Sequence, residues 1–135
     1  MSEKKKLTAE EIKQQIFSAK DIRLEEFKVS EWDTTVWLKA LTYEERNKIL
    51  EASGIRTTRE ENKPVDVDQV ENFVMSLLIE GVRDSNGNQI FNKGDIEALS
   101  KKSASAIDKI ATALMEISGF GEELREELRK RFRRE

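Results

Sequence analysis

Apolar residues are spaced differently in successive stretches of the chain, and each change of spacing marks an element. Thr8 and Glu11 stand three apart as a capping box, and Ile12, Ile16 and Phe17 follow as a narrow stripe. This predicts a short amphipathic helix within residues 1–20, either docked on the core or acting as an arm that orders on a partner. Alternation replaces helical spacing next. Phe27 and Val29 stand between Glu26, Lys28 and Ser30, and Val36, Leu38 and Ala40 alternate with Trp37 and Lys39. The pattern predicts a hairpin over 24–41 with a polar turn at Asp33-Thr34-Thr35. A lone hairpin is marginal in water, so this one must pack on helices. Trp32 and Trp37 are then packing anchors or, where exposed, interface anchors.

From residue 42 to 120 the spacing is helical. Thr42 and Glu45 form a second capping box, and Gly54 is placed to end that helix in the left-handed conformation. Residues 55–65 are polar, hold the single proline, Pro64, and read as a connector. After the cap residue Asp66, the residues Val67, Val70, Phe73, Val74, Leu77, Leu78 and Gly81 recur at intervals of three and four and predict one broad buried face. Ala104, Ile107, Ile110, Ala111, Leu114 and Ile117 repeat the pattern before Gly119. Between these two helices, Asn92 with Asp95 predicts a cap for one short helix carrying Ile96 and Leu99.

Residues 121–135 predict a charged C-terminal helix. From Glu122 to Glu135 five acidic and six basic residues are ordered acid-first, as the helix dipole favours, and Leu124, Leu128 and Phe132 make a thin stripe. Such a stripe lies on the edge of a domain or meets another protein. The whole predicts a single domain over 1–135, mainly α (α+β), with a small N-terminal β-hairpin packed against four or more helices.

Composition narrows the function classes. The 135 residues include no Cys and no His, which removes thiol and imidazole nucleophiles, bases and metal ligands, and leaves only carboxylate, Lys, Tyr or Arg chemistry for an enzyme. No catalytic, cofactor-binding or metal-binding residue is predicted. A net charge of −3 and the lack of interleaved basic and aromatic residues argue against nucleic acid, and no apolar run is long enough for a membrane span or a signal peptide. Zero cysteine fits a reducing cytoplasm. Basic runs at Lys4-Lys5-Lys6 and from Arg129 to Arg134 read as solubility and helix-end charge.

Two motifs invite chemistry and do not sustain it. Counting Asp84 as the first residue of a calcium loop puts Gln89 where glycine is required and Asp95 where a bidentate Glu is required, so Asn86-Gly87 reads as a tight turn with positive φ at both residues. Acidic neighbours such as Glu25-Glu26 and Glu60-Glu61 point in different directions and do not form a site.

The order of these segments resembles a known family. Ser18-Ala19-Lys20-Asp21-Ile22, Val29-Ser30-Glu31-Trp32 and Leu41-Thr42-Tyr43-Glu44-Glu45-Arg46 are similar to the first half of the tail assembly chaperones of long-tailed, siphophage-type bacteriophages and prophages. The run from Val82 through Asn86-Gly87 to Phe91, then Asp95 to Ser103 and Ile117-Ser118-Gly119-Phe120, is similar to their second half. The chain departs from the family at Asp33-Thr34-Thr35, where glycine is frequent. The resemblance implies a non-enzymatic protein of the host bacterial cytoplasm, absent from the mature virion. It would bind the tape-measure protein and keep it soluble until the tail tube polymerises. Self-association and a frameshifted longer form are implied as well. A structural virion subunit, a tail or connector protein, is the alternative. Leu124, Leu128 and Phe132 are the first candidates for partner contact, with Trp32 and Trp37 second.

Overall fold

The computed structural model describes residues 6–132, with side chains through residue 130. The first helix, α1 (Ala9–Ser18), starts from the expected box: the Thr8 hydroxyl accepts from the Glu11 amide at 3.1 Å and the Glu11 carboxylate from the Thr8 amide at 2.9 Å. It buries none of its residues. Strands β1 (Leu24–Val29) and β2 (Thr34–Lys39) pair antiparallel with Phe27 opposite Val36 and Glu25 opposite Leu38. Their turn is a 3-10 turn at Ser30–Trp32 closed by Asp33, whose φ of 48° places an aspartate in the left-handed region. The third strand, β3 (Val82–Arg83), pairs with β2, so the order is β1-β2-β3 and β1 is an outer edge.

Val36 and Leu38 of β2, with Val29 and Val82, turn inward onto the helices. Their hosts are α4 (Val67–Gly81) and α6 (Ala104–Ile117), whose apolar faces pack together. Closest approach falls at Gly81, where an added Cβ would stand 2.4 Å from a Leu114 methyl. The broad face predicted for α4 is buried except at its first residue: Val67, at the helix start, is 60% exposed.

The helix α2 (Tyr43–Ala52) carries the Thr42–Glu45 box and is tied to the end of α6 through the Leu41 amide, which donates to the Ser118 hydroxyl at 2.9 Å. Gly54 then takes the left-handed conformation, φ 79°, as its placement requires. Residues 55–65, the connecting segment, are ordered and partly core. Ile55–Glu60 forms a helix, α3, and both Ile55 and Val65 are fully buried. Gln69 explains the order. Its side chain completes the Asp66 box and donates to the Thr58 hydroxyl at 2.7 Å and the Gly54 carbonyl at 3.3 Å, pinning α3 to the start of α4.

After β3 the chain reverses at Asp84–Asn88. Gly87 alone takes positive φ, 86°, which corrects the expectation for Asn86. The Asp84 carboxylate accepts from the Asn86 and Asn88 amides at 2.9 Å each, so its oxygens serve the turn. Those amides, Asn88 foremost, hold its carboxyl below the usual range. The Asn92–Asp95 box opens a 3-10 turn that runs into α5 (Ile96–Leu99). Finally α7 (Glu122–Phe132) returns beside α4 and α6 through Gly119 (φ 74°) and the buried Phe120, whose ring meets Phe73 edge-on at 5.4 Å.

Candidate interaction surface

The first-choice contact residues lie inside. Leu124 is 5% exposed and Leu128 fully buried, both members of the central apolar cluster, so α7 spends its stripe on the molecule's own core. This corrects their availability: a partner does not reach Leu124 or Leu128 while α7 is in place. Arg59 of α3 reinforces the docking, with Nη2 3.5 Å from Glu123 and Nε 3.4 Å from Glu127. The Phe132 side chain lies outside the described residues, as do Lys4 and Lys5 and the end of the basic run at 133–134.

The tryptophans part company. Trp32 is half-buried against the core cluster, and its indole N–H is shut off from solvent with no hydrogen-bond acceptor among the described residues. Trp37 is half-buried on the opposite, outer face of the sheet, between Glu26 on β1 and Arg83 on β3. Outer-face neighbours include Leu24, itself exposed, so Trp37 centres a mixed apolar and charged patch. Of the four candidates whose side chains are described, two are core, one anchors the hairpin turn and one, Trp37, faces outward, so they do not form one surface.

Three other features present apolar groups at the surface. Along α1, Ile12, Ile16 and Phe17 are 44%, 62% and 77% exposed. Between α4 and α6 a groove of about 250 Å³ is lined by Val67, Val70, Val74, Met75 and Ile107, with Glu71, Lys102 and Asp108 on its rim. Tyr43, 76% exposed, lies under the Arg46 guanidinium at 5.6 Å. Arg46 is held there by donating to the Gly119 carbonyl at 3.0 Å. The sequence signal for the α1 stripe was legible. The groove was not, because it is made by two helices far apart in the chain.

Ionised groups are arranged for structure. The Lys109 ammonium, 2.9 Å from Glu31, holds that carboxyl below its ordinary range and ties the hairpin turn to α6. Asp108 goes the other way: burial, with no cation beside it among the described residues, raises its carboxyl. Among the described residues no group of three or more acidic side chains is placed to hold a metal ion, and no helix is long and apolar enough to cross a membrane.

Comparison with known proteins decides what this fold is. The sequence profile of the phage tail assembly chaperones matches residues 10–131, nearly the whole chain. The chain belongs to the phage tail assembly chaperone family. A solved structure with the same fold is that of the bacteriophage HK97 tail assembly chaperone, at TM-score 0.52 and 14% sequence identity, covering 79% of this chain and 97% of that one. No curated protein matches by sequence. The tail assembly chaperone thus presents an outer tryptophan, an uncovered amphipathic helix and an apolar groove rimmed by charge.

Proposed function

We propose that this chaperone binds the tape-measure protein of its phage and keeps it soluble in the host bacterial cytoplasm until the tail tube polymerises around it. The protein works without catalysis and leaves before the virion matures. The observation that carries this reading is the α4–α6 groove, whose apolar floor of valines, Met75 and Ile107 ends at the exposed Val67 and is rimmed by Glu71, Lys102 and Asp108. An amphipathic client helix seats its apolar stripe in such a groove and leaves its polar face to solvent. Charged residues make up 38% of the chain, which keeps the loaded complex in solution. Trp37 supplies a second contact on the outer sheet face.

Co-expression with the tape-measure protein encoded in the same phage tests the proposal. The client is expected in the soluble fraction and to co-purify with the wild-type chain. Val67→Glu, at an exposed position, is expected to abolish co-purification without unfolding the chaperone. A client that stays insoluble beside abundant chaperone, together with chaperone in purified particles, would replace this reading with that of a structural virion subunit.

A further inference from the structure

The outer strand leaves half of its backbone groups unused. Among the described residues β1 pairs with β2 on one side and with no strand on the other. The Ala40 amide donates to the carbonyl of Arg23, which stands opposite it, at 2.9 Å, so Arg23, Glu25, Phe27 and Val29 turn their backbone groups toward β2. By the alternation of an antiparallel pair, the N–H and C=O groups of Leu24, Glu26 and Lys28 point away from the sheet. The six residues of β1 pair in unbroken register, so no bulge interrupts this edge, and every residue from Lys6 to Leu24 is exposed, so α1 does not shelter it.

Under that edge lies a second groove, of about 450 Å³, between Phe27 of β1 and the face of α6 that carries Asp108, Thr112, Ala113 and Glu116. The strand runs against the direction of the helix. Glu31, just past β1, meets Ser105 and Lys109 near the start of α6, and the Leu41 amide, beside the other end of the hairpin, donates to Ser118 at its finish. Asp108 therefore stands toward Val29 and Glu116 toward Glu25. Neither acid is in an ion pair among the described residues, whereas the cations of the groove are engaged, Lys109 with Glu31 and Arg129 with Glu126. Asp108 and Glu116 are about 12 Å apart along the helix axis. Residues i and i+4 of an extended segment, which face the same side, are about 13 Å apart.

We infer that β1 accepts a fourth strand from another protein: an extended segment that bonds to the free groups of Leu24, Glu26 and Lys28 and turns a cation, an apolar side chain and a second cation, at alternate positions, onto Asp108, the Phe27 and Ala113 floor, and Glu116. Backbone bonds supply the affinity of such an added strand, and the groove supplies the choice of sequence. A second copy of β1 does not meet the requirement. Paired antiparallel about its centre it sets Glu26 against Glu26, and it brings Glu25 rather than a cation to the acids. This surface shares only Asp108 with the α4–α6 groove, and the inference stands whether or not the client is a tape-measure protein.

The probe is a synthetic peptide with capped ends, Thr-Lys-Thr-Val-Thr-Lys-Thr, added to the full-length chain. Amide hydrogen exchange followed residue by residue by NMR is expected to slow at least about tenfold at Leu24, Glu26 and Lys28, whose amides are free, and to stay unchanged at Glu25 and Phe27, which already face β2. Replacing both peptide lysines by glutamate is expected to remove this protection. Glu116→Lys, at an exposed position, should weaken binding of the lysine peptide by about fivefold or more. No binding, or binding without slower exchange at those three amides, would overturn the inference, as would equal protection by the glutamate peptide. Protection that appears without peptide and grows with protein concentration would overturn it in favour of edge pairing between copies of this chain.

Discussion

The two ends of the molecule begin as the same sequence idea and finish differently. Both α1 and α7 are short helices with a three-residue apolar stripe on a charged background, yet α7 buries Leu124 and Leu128 whereas α1 buries nothing. The stripe does not account for the contrast; the chain beside it does. Gly119 in the left-handed conformation and the buried Phe120 fold α7 straight back on α4 and α6, and Arg59 meets its acidic first turns. Residues 19–23 give α1 no such anchor: Ala19 leaves the helix extended and the chain runs directly into the outer strand. A thin stripe is core when a turn returns it and surface when a strand carries it away.

The largest expected effect separates the two ends most sharply. Leu128→Ser should lower unfolding free energy by about 3–5 kcal/mol in chemical denaturation, since it removes a fully buried side chain and leaves a hydroxyl in its place. Equal losses from Leu128→Ser and Ile16→Ser would break the comparison. Caps give the next test. Thr42→Ala is expected to cost about 1 kcal/mol of global stability, because α2 is packed and tied to α6. Thr8→Ala should fray α1, seen as lost helical circular dichroism, with an unchanged melting temperature.

Acid sharpens the same point through Glu45. Burial pushes its carboxyl up, but the Thr42 amide and the Lys39 ammonium at 2.9 Å outweigh burial and hold it below the ordinary range. The folded state therefore favours the ionised form. Its stabilisation is complete above the ordinary glutamate range and is lost as pH falls through the depressed folded value. Glu45→Gln should be less stable than wild type by about 0.5–1 kcal/mol near neutrality, with the gap closing in acid denaturation curves. Asp108, raised by burial, works with the opposite slope: its penalty is present at neutral pH and relieved as the pH falls. Smaller still, Arg59→Ala should loosen α7 by about 0.2–1 kcal/mol, an effect that vanishes in high salt. Smallest of all, Ile16→Ser is expected within about 0.5 kcal/mol of wild type.

Features written in neighbouring residues were legible in the sequence. The caps at Thr8, Thr42, Asp66 and Asn92, the hairpin faces of Val36 and Leu38, and the central faces of α4 and α6 all arise from residue types and spacings of two to four residues. The elements that escaped depend on distant partners. Ile55 and Val65 are isolated apolar residues ten apart, without periodicity, and become core only because Gln69 gathers the intervening turn. β3 is two residues long and exists because β2 offers it an edge. Of the candidate contacts, Trp37 faces outward and Leu124 and Leu128 do not, a distinction set by tertiary packing rather than by residue type.

Gly81 and Leu114 behave as a hole and the knob that fills it. The space between α4 and α6 at that level admits one branched side chain in total, and the chain assigns all of it to α6. What is fixed is the combined volume, not its ownership. A methyl added at Gly81 and methyls removed at Leu114 are therefore one change made in two places, and Gly81→Ala paired with Leu114→Ala should be less damaging than the sum of its halves.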